Sequence, residues 1–363
     1  MTALDGVQSK RRKPTAIDIF CGCGGTTQGV KDAGFRVLAG VELDGLAVKT
    51  FRANHKRVKV WHEDVSDLTP KVLLDHHGLR RGQLDLLIGC PPCQAFSPMR
   101  RLNGRKLIRD KAAKDLVFEY LKFVEGLFPK VILLENVPRL IEDYRFNEVR
   151  QRLRELGYVG RPAIFNAAEY GVPQRRRRMI FIASRVGVID YAVGDDKQMK
   201  TVRQTIAKLP KPGNTRDALH NLPEVRSPKV AKLIARIPMN GGSRFALGED
   251  EQLECHKKCD GFKDVYGRMA WDAISPTITS GCVNPSKGRF LHPEQNRTIT
   301  LREAALLQSF PRKYRFSLDR GKFAAALMIG NAFPPLFVKP HAEQICKHLK
   351  KLRTATKSRR TRS

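Results

Sequence analysis

The sequence predicts an α/β protein: a doubly wound, mostly parallel sheet with a smaller, loop-rich domain inserted into it. Three observations carry this. Short apolar runs alternate with helix-length amphipathic segments through the first half of the chain, as in successive βαβ units. The first apolar run ends in a glycine-rich turn that opens a helix. From about Arg185 the pattern gives way to chain rich in Pro, Gly and basic residues, and helical periodicity returns only after Thr298.

Residues 15–20 read as a short buried strand. A helix over 26–33 follows, with Gly34 as its C-terminal stop. Strand 37–43, helix 46–54 and short strand 58–61 come next. Strand 84–88 (Leu-Asp-Leu-Leu-Ile) is bounded by a Gly-Cys-Pro-Pro loop. A long amphipathic helix over 112–128 leads into the buried strand 131–134. Helix 147–156 and strand 179–183 complete the first part, and helices 301–308, 322–329 and 336–349 close the chain. The expected organisation is a basic tail 1–14, a first domain 15–185, an insert 186–298, a return to the first domain 299–349 and a basic tail 350–363. There is no internal repeat.

The charge is unusual. Sixty-seven Lys and Arg against thirty-six Asp and Glu give a formal +31, which points to a polyanionic partner, nucleic acid first. Basicity alone does not separate DNA from RNA or from an anionic membrane. No apolar run approaches the length of a membrane span, and residues 1–14 are polar and basic, so no membrane partner is expected. Eight cysteines in 363 residues do not make a disulfide scaffold. The expectation is a soluble, intracellular protein with reduced thiols.

The stretch from Gly89 to Ser97, Gly-Cys-Pro-Pro-Cys-Gln-Ala-Phe-Ser, bears most on chemistry. Proline fixes its own φ and restricts the residue before it, so the loop is stiff before any ligand arrives. Stiffness suits a nucleophile that must meet one atom of a substrate. On these residues alone Cys93 is that nucleophile, half of a redox pair with Cys90, or a metal ligand.

In the turn after the first strand, Gly22 and Gly24 let backbone approach a cofactor closely. Glu42, at the end of the second strand, is placed to accept both ribose hydroxyls of an adenosine. Asp64, after the third, could accept from an adenine amino group; a helix-capping or solvated carboxylate is the alternative for each acid. Glu135, leaving a buried strand, sits where desolvation raises a carboxylate pKa and suits a proton donor, or it simply holds a neighbouring Arg. In Gln174-Arg175-Arg176-Arg177-Arg178, alternation puts Arg176 and Arg178 on one face and Arg175 and Arg177 on the other. One pair can line the site while the other meets backbone phosphates; a solvated basic face is the alternative.

Together and in this order, these segments resemble the DNA (cytosine-5) methyltransferases, in particular the methylases of bacterial restriction–modification systems. The likeness runs from Ala16 to about Val338. It covers the Phe20–Gly25 turn, the Pro91-Pro92-Cys93-Gln94 loop, Glu135-Asn136-Val137, and Gln174 to Arg178. It continues through Arg302-Glu303 with Leu307 to Pro311, and ends in Gly330-Asn331-Ala332-Phe333-Pro334-Pro335. The resemblance implies a Rossmann-like, S-adenosylmethionine-dependent methyltransferase fold acting on double-stranded DNA. It implies Phe20 against the adenine, Asn331 near the methionine end, and Gly22, Gly24, Glu42, Asp64 and Pro91 around the cofactor. The insert becomes a target recognition domain, with Thr277-Ile278 matching its Thr-aliphatic pair. Gln94, Ser97, Arg175, Arg177, Thr277 and Ile278 are the implied DNA contacts.

The implied chemistry explains the residue types. Cytosine C5 is too weak a nucleophile to attack a methyl sulfonium, and a Cys93 thiolate added at C6 makes it enamine-like. Glu135 serves N3, Arg178 the base carbonyl, and Arg176 the catalytic loop. A stacked base cannot reach Cys93, so it is flipped out. Cys90 is then a packing residue. The rival readings are a Cys90–Cys93 redox pair, a zinc site at Cys255 and Cys259, a non-enzymatic DNA binder, and an RNA methyltransferase of the same family. The size of the insert favours duplex DNA, because reading a groove needs surface. A bacterial or phage cytoplasm, a monomer and a companion restriction endonuclease complete the expectation.

Overall fold

The computed structural model describes residues 13–92, 115–248 and 264–360. Seven strands form one sheet in the order β3-β2-β1-β4-β5-β7-β6. They are β1 (Thr15–Ile19), β2 (Arg36–Glu42), β3 (Lys59–His62), β4 (Leu86–Gly89), β5 (Val131–Asn136), β6 (Val159–Asn166) and β7 (Arg177–Ser184). Helices α1 (Gly25–Asp32), α2 (Gly45–Asn54), α3 (Pro70–His76), α4 (Leu116–Leu127) and α5 (Tyr144–Glu155) connect them. The first five strands are parallel, and β7 runs antiparallel to both β5 and β6. The mostly parallel, doubly wound expectation is therefore met, with an antiparallel hairpin at one edge.

Both faces of the sheet are covered, which is why its strands read as continuous apolar runs. On one face Ala16, Leu86, Ile88, Val131 and Leu133 pack with Val30 of α1 and with Phe337, Val338, Ala342 and Ile345 of the last helix. On the other, Ile17, Leu87, Ile132 and Leu134 pack with Tyr120 and Phe123 of α4 and Phe146 and Val149 of α5. Asp44 and Asp143 cap α2 and α5 by accepting from first-turn amides.

Two elements, β6 and α3, lie outside the pattern that the sequence predicts. Strand β6 lies at the sheet edge, carries Gly160 and Pro162 and is largely exposed, so it lacks an apolar signature. Helix α3 is short and opens on Pro70. The closing helix also runs from Pro335 to Arg360 rather than stopping at 349, and Arg353 ion-pairs with buried Asp85 at 2.6 Å. The start of the expected basic tail thus continues the helix, and Arg353 ties it to the sheet. By length and composition, residues 321–354 alone among the described residues could cross a membrane. The stretch is broken between Asn331 and Pro335, and 61% of the apolar window is buried in the protein.

The segment after β7 contributes helices Val202–Ile206, Ala218–Asn221 and Pro228–Arg236 and otherwise irregular chain. Tyr191 still belongs to the sheet: its hydroxyl accepts from Ile182 N–H at 3.1 Å. Val202, Ile206, Leu219, Met269 and Ile278 share a core with Leu301, Ala305 and Ile329. In place of a strand ladder, fully buried Arg268 donates to the carbonyls of Ile234, Ile237, His292 and Gln295 and to Asn296 Oδ1, over 2.6–3.0 Å. A guanidinium carries five fixed donors, enough to organise chain that has no regular pairing of its own.

Candidate active site

The sheet order reverses between β1 and β4, and the site forms at the carboxyl ends of the strands there. After β1 the chain passes through Phe20 (φ 61°), Gly22 (φ 53°) and Gly24 (φ 92°) into α1. Glycine adopts these angles without strain, whereas a left-handed Phe costs about 1–3 kcal/mol and persists only where its surroundings hold it. A Cβ built on Gly22 meets nothing within 4 Å, so the turn opens onto a cradle.

Glu42 lines that cradle. Its Oε2 accepts from Gly22 N–H at 2.9 Å and its Oε1 from Asp44 N–H at 2.8 Å. Burial pushes its pKa up while these amides oppose the shift. Each oxygen retains a lone pair for a ribose hydroxyl. Asp64 Oδ1 accepts from Ser66 N–H at 2.9 Å and Ser66 Oγ at 2.7 Å, which closes a local turn; the N-cap position of the following helix α3 is Thr69. Beneath the turn, fully buried Asp18 accepts from Thr27 Oγ1 at 2.6 Å, while its Oδ1 has no hydrogen-bond partner among the described residues. Burial raises the Asp18 pKa to about 7. An open cradle, a rim carboxylate with spare acceptor capacity and an orphaned carboxylate oxygen beneath fit a nucleoside cofactor with a cationic end.

Strand β4 ends at Gly89, where a Cβ would come 2.3 Å from the Tyr120 ring. The buried Pro91 carbonyl accepts from Asn136 Nδ2 at 3.0 Å, which ties this loop to β5. Cys93, Gln94 and Ser97 lie outside the described residues, as do Cys255 and Cys259. Cys90 is more than packing. Its thiol lies beside the Glu135 carboxylate and 3.7 Å from Thr26 Oγ1, and burial, with the Glu135 charge next, drives its pKa well above the ordinary value, which keeps it neutral. A cysteine beside a Pro-Pro pair carries no sequence signal for this contact, which depends on β4 and β5 being neighbours.

Glu135, buried at the end of β5, pairs through Oε1 with Arg178 Nε at 3.0 Å. Desolvation raises its pKa, opposed by Arg178 and then Arg176. The arginines alternate: Arg176 is buried and Arg178 half-buried, while Arg175 and Arg177 are exposed. Arg176 Nη1 donates to the carbonyls of Ile278 and Gly330, each at 3.1 Å. Buried Gln174 joins the same network, donating to Leu307 O at 2.9 Å and accepting from Ile278 N–H at 3.0 Å. Gln308 Nε2 in turn donates to Ile329 O at 2.6 Å. Ile278 is fully buried, so its side chain presents nothing to a duplex in this conformation, and of the pair only half-buried Thr277 faces outward. Its hydroxyl donates to Arg175 O at 2.5 Å. Asn331 is exposed at the end of helix Gly321–Asn331. The chain after it folds back on the glycine-rich turn, since a Cβ on Gly25 would come 2.6 Å from Phe333 O. Among the described residues, no group of three or more His, Cys, Asp or Glu could hold a metal.

A doubly wound sheet with a glycine-rich turn at its switch point and a buried carboxylate–arginine pair two strands away defines a methyltransferase-type Rossmann-like protein. Residues 15–347 match the model of the C-5 cytosine-specific DNA methylases, and the chain belongs to that family of DNA (cytosine-5) methyltransferases. It is 34% identical to the Type II methylase M.HgiDII of Herpetosiphon aurantiacus, over 93% of this chain and 96% of the relative. It is 32% identical to the Type II methyltransferase M1.HphI of Haemophilus parahaemolyticus, over 92% and 87%. Among solved structures it superposes on a prophage-encoded DNA modification methyltransferase of E. coli with a TM-score of 0.70 at 23% identity, covering 93% of this chain and all of that one. It matches the S. pombe Dnmt2 methyltransferase with a TM-score of 0.61 at 20% identity, over 94% and 99%.

Proposed function

We propose that the protein methylates C5 of a cytosine within a specific double-stranded DNA sequence, using S-adenosylmethionine and a covalent Cys93 step on a flipped base. The supporting observation is the Glu135–Arg178 pair, which joins β5 to β7 and puts Glu135 on the strand beside β4, the one that leads into the Pro-Pro-Cys loop. S-adenosylmethionine supplies an electrophilic methyl group when bound. Glu42 orients its ribose, Asp64 and Phe20 receive the adenine, and Pro91, Gly22, Gly24 and Asn331 complete the enclosure.

The Cys93 thiolate adds to C6, forming an S–C bond and pushing electron density toward C5. Glu135 hands a proton or hydrogen bond to N3, so negative charge does not build on the ring. Burial suits it to that task by favouring the protonated acid. Arg178 positions the same carboxylate and holds the base carbonyl, while Arg176 fixes the segments around Ile278 and Gly330. Once C5 carries the methyl group, a water molecule takes the C5 proton, the S–C6 bond breaks with its electrons returning to the Cys93 thiolate, and the N3 proton or hydrogen bond returns to Glu135. A base stacked in duplex would not meet Cys93, so this reading includes extrusion of the base, at a cost of about a few kcal/mol offset by phosphate contacts.

Residues 186–298 act as the target recognition domain, with Thr277, Arg175, Arg177, Gln94 and Ser97 toward the DNA. The Type II names of the relatives support a modification role beside a restriction endonuclease; we take the protein to work as a monomer in a bacterial or phage cytoplasm. Bisulfite sequencing of DNA from expressing cells should show methylcytosine at one short motif. A duplex carrying 5-fluorocytosine at that motif should trap wild type covalently and fail to trap Cys93→Ser. A folded, DNA-bound wild type that neither methylates nor traps overturns the mechanism. Methylation of transfer RNA in preference to duplex DNA overturns the substrate.

A further inference from the structure

The cofactor turn is open on one side and gripped on the other. The open side is Gly22. The gripped side is Gly24, where a Cβ would come 2.5 Å from His55 Nε2 and 2.8 Å from Tyr314 Oη. Both residues are buried and come from distant segments, His55 from the end of α2 and Tyr314 from beyond the recognition segment.

Their hydrogen bonds fix the protons. Tyr314 Oη donates its single proton to Cys23 O at 2.7 Å. Lying 2.9 Å from His55 Nε2, the same oxygen must then accept from the ring N–H, which also faces Gly24 O at 3.2 Å. Nδ1 is left as an acceptor for Lys31 Nζ at 3.2 Å. His55 is therefore the neutral Nε2–H tautomer, consistent with burial and Lys31 holding its pKa down at about 4. Tyr314 is itself anchored. Arg302 Nη1 donates to its carbonyl at 3.0 Å, and Arg302 Nε pairs with Asp217 at 2.5 Å. Two consecutive carbonyls of the turn, Cys23 and Gly24, are thus held from behind by side chains that do not reach the open cradle.

We propose that His55 and Tyr314 are positioning residues for the cofactor: they hold the turn in its binding shape through its own carbonyls. This rests on the reading that the turn binds S-adenosylmethionine. The test is isothermal titration of S-adenosylhomocysteine into wild type and into Tyr314→Phe, His55→Leu, His55→Gln and Lys31→Met, with the S-adenosylmethionine KM and kcat alongside.

Losing one of these bonds should weaken binding by about five- to tenfold, the equivalent of a net hydrogen bond. KM should rise in parallel, with kcat at saturation close to wild type. His55→Gln retains a donor and should recover most of what His55→Leu loses, a rescue that a purely packing role would not give. Lys31→Met removes a half-exposed partner, keeps the fold intact and should give a smaller loss, so the test survives a misfolded Tyr314 variant. Wild-type affinity in Tyr314→Phe, His55→Leu and Lys31→Met overturns this inference alone. A wild type that does not bind S-adenosylhomocysteine overturns the underlying reading instead.

Discussion

Arg178 and Glu135 form an ion pair across neighbouring antiparallel strands, Nε to Oε1 at 3.0 Å. Burial raises the carboxyl pKa and the guanidinium opposes the rise, so the pair sets how readily Glu135 holds a proton. A donor role requires the protonated form, so activity should fall as pH rises through the Glu135 pKa. Removing Arg178 removes an opposing charge, raises that pKa and moves the basic limb of the kcat profile to higher pH. Glu135→Gln should lower kcat by about 10²- to 10⁴-fold while cofactor and DNA still bind. Single-turnover methyl transfer across neutral pH reads both. An active Glu135→Gln, or an unmoved basic limb in Arg178→Ala, would remove the acid role.

Arg175 and Arg177 are exposed on the face opposite Arg176 and Arg178. If they meet phosphates, each alanine substitution should lower the slope of log K against log salt by about 0.9, alike on cognate and unrelated duplexes. Fluorescence anisotropy over a salt series measures this. A wild-type slope in the double variant would mean that this face is merely solvated.

The parallel half of the sheet was legible because its strands are covered on both faces and read as unbroken apolar runs. Strand β6 was not, being an exposed edge with a proline. The motifs placed Glu135 and the arginines because backbone alternation alone decides which arginines turn inward. They could not show that Gln174, Ile278, Gln308 and Gly330 meet in one buried network, because those residues are far apart in the chain and joined only by packing. The Cys90–Glu135 contact, the burial of Ile278 and the His55–Tyr314 grip share that cause.

Gly29 in α1 shows how packing reverses a propensity rule. In an exposed helix Gly→Ala is stabilising by about 1 kcal/mol. Here the added Cβ would come 2.2 Å from Val338 Cγ1 and 2.4 Å from the Pro335 carbonyl. A backbone carbonyl cannot swing aside as a flexible side chain can. Gly29→Ala should therefore lower stability by about 1–3 kcal/mol, and should loosen the segment after Asn331 that folds over the cofactor turn. Urea unfolding gives the sign, and an increase in stability would show that the last helix is not seated firmly on α1.

His341 sets an acid limit on the fold. Its ring lies among Phe165, Tyr170, Tyr191 and Phe337, with centroids 5.0–6.0 Å away, and neither nitrogen has a hydrogen-bond partner among the described residues. Burial holds its pKa at about 3, against an ordinary 6.5. The folded chain keeps it neutral while the unfolded chain protonates it near 6.5. Its titration therefore contributes nothing above that pH and is increasingly unfavourable as pH falls toward 3, at up to about 1.4 kcal/mol per unit. His55 and His292, each held at about 4, act in the same direction. His341→Leu removes one of the three, so stability should fall less steeply between pH 6.5 and 4. At neutral pH, relief of the orphaned nitrogens, about 1–3 kcal/mol, should outweigh the lost ring contacts. Urea midpoints over that pH range decide it: an unchanged slope would mean that His341 finds a proton partner when the fold breathes.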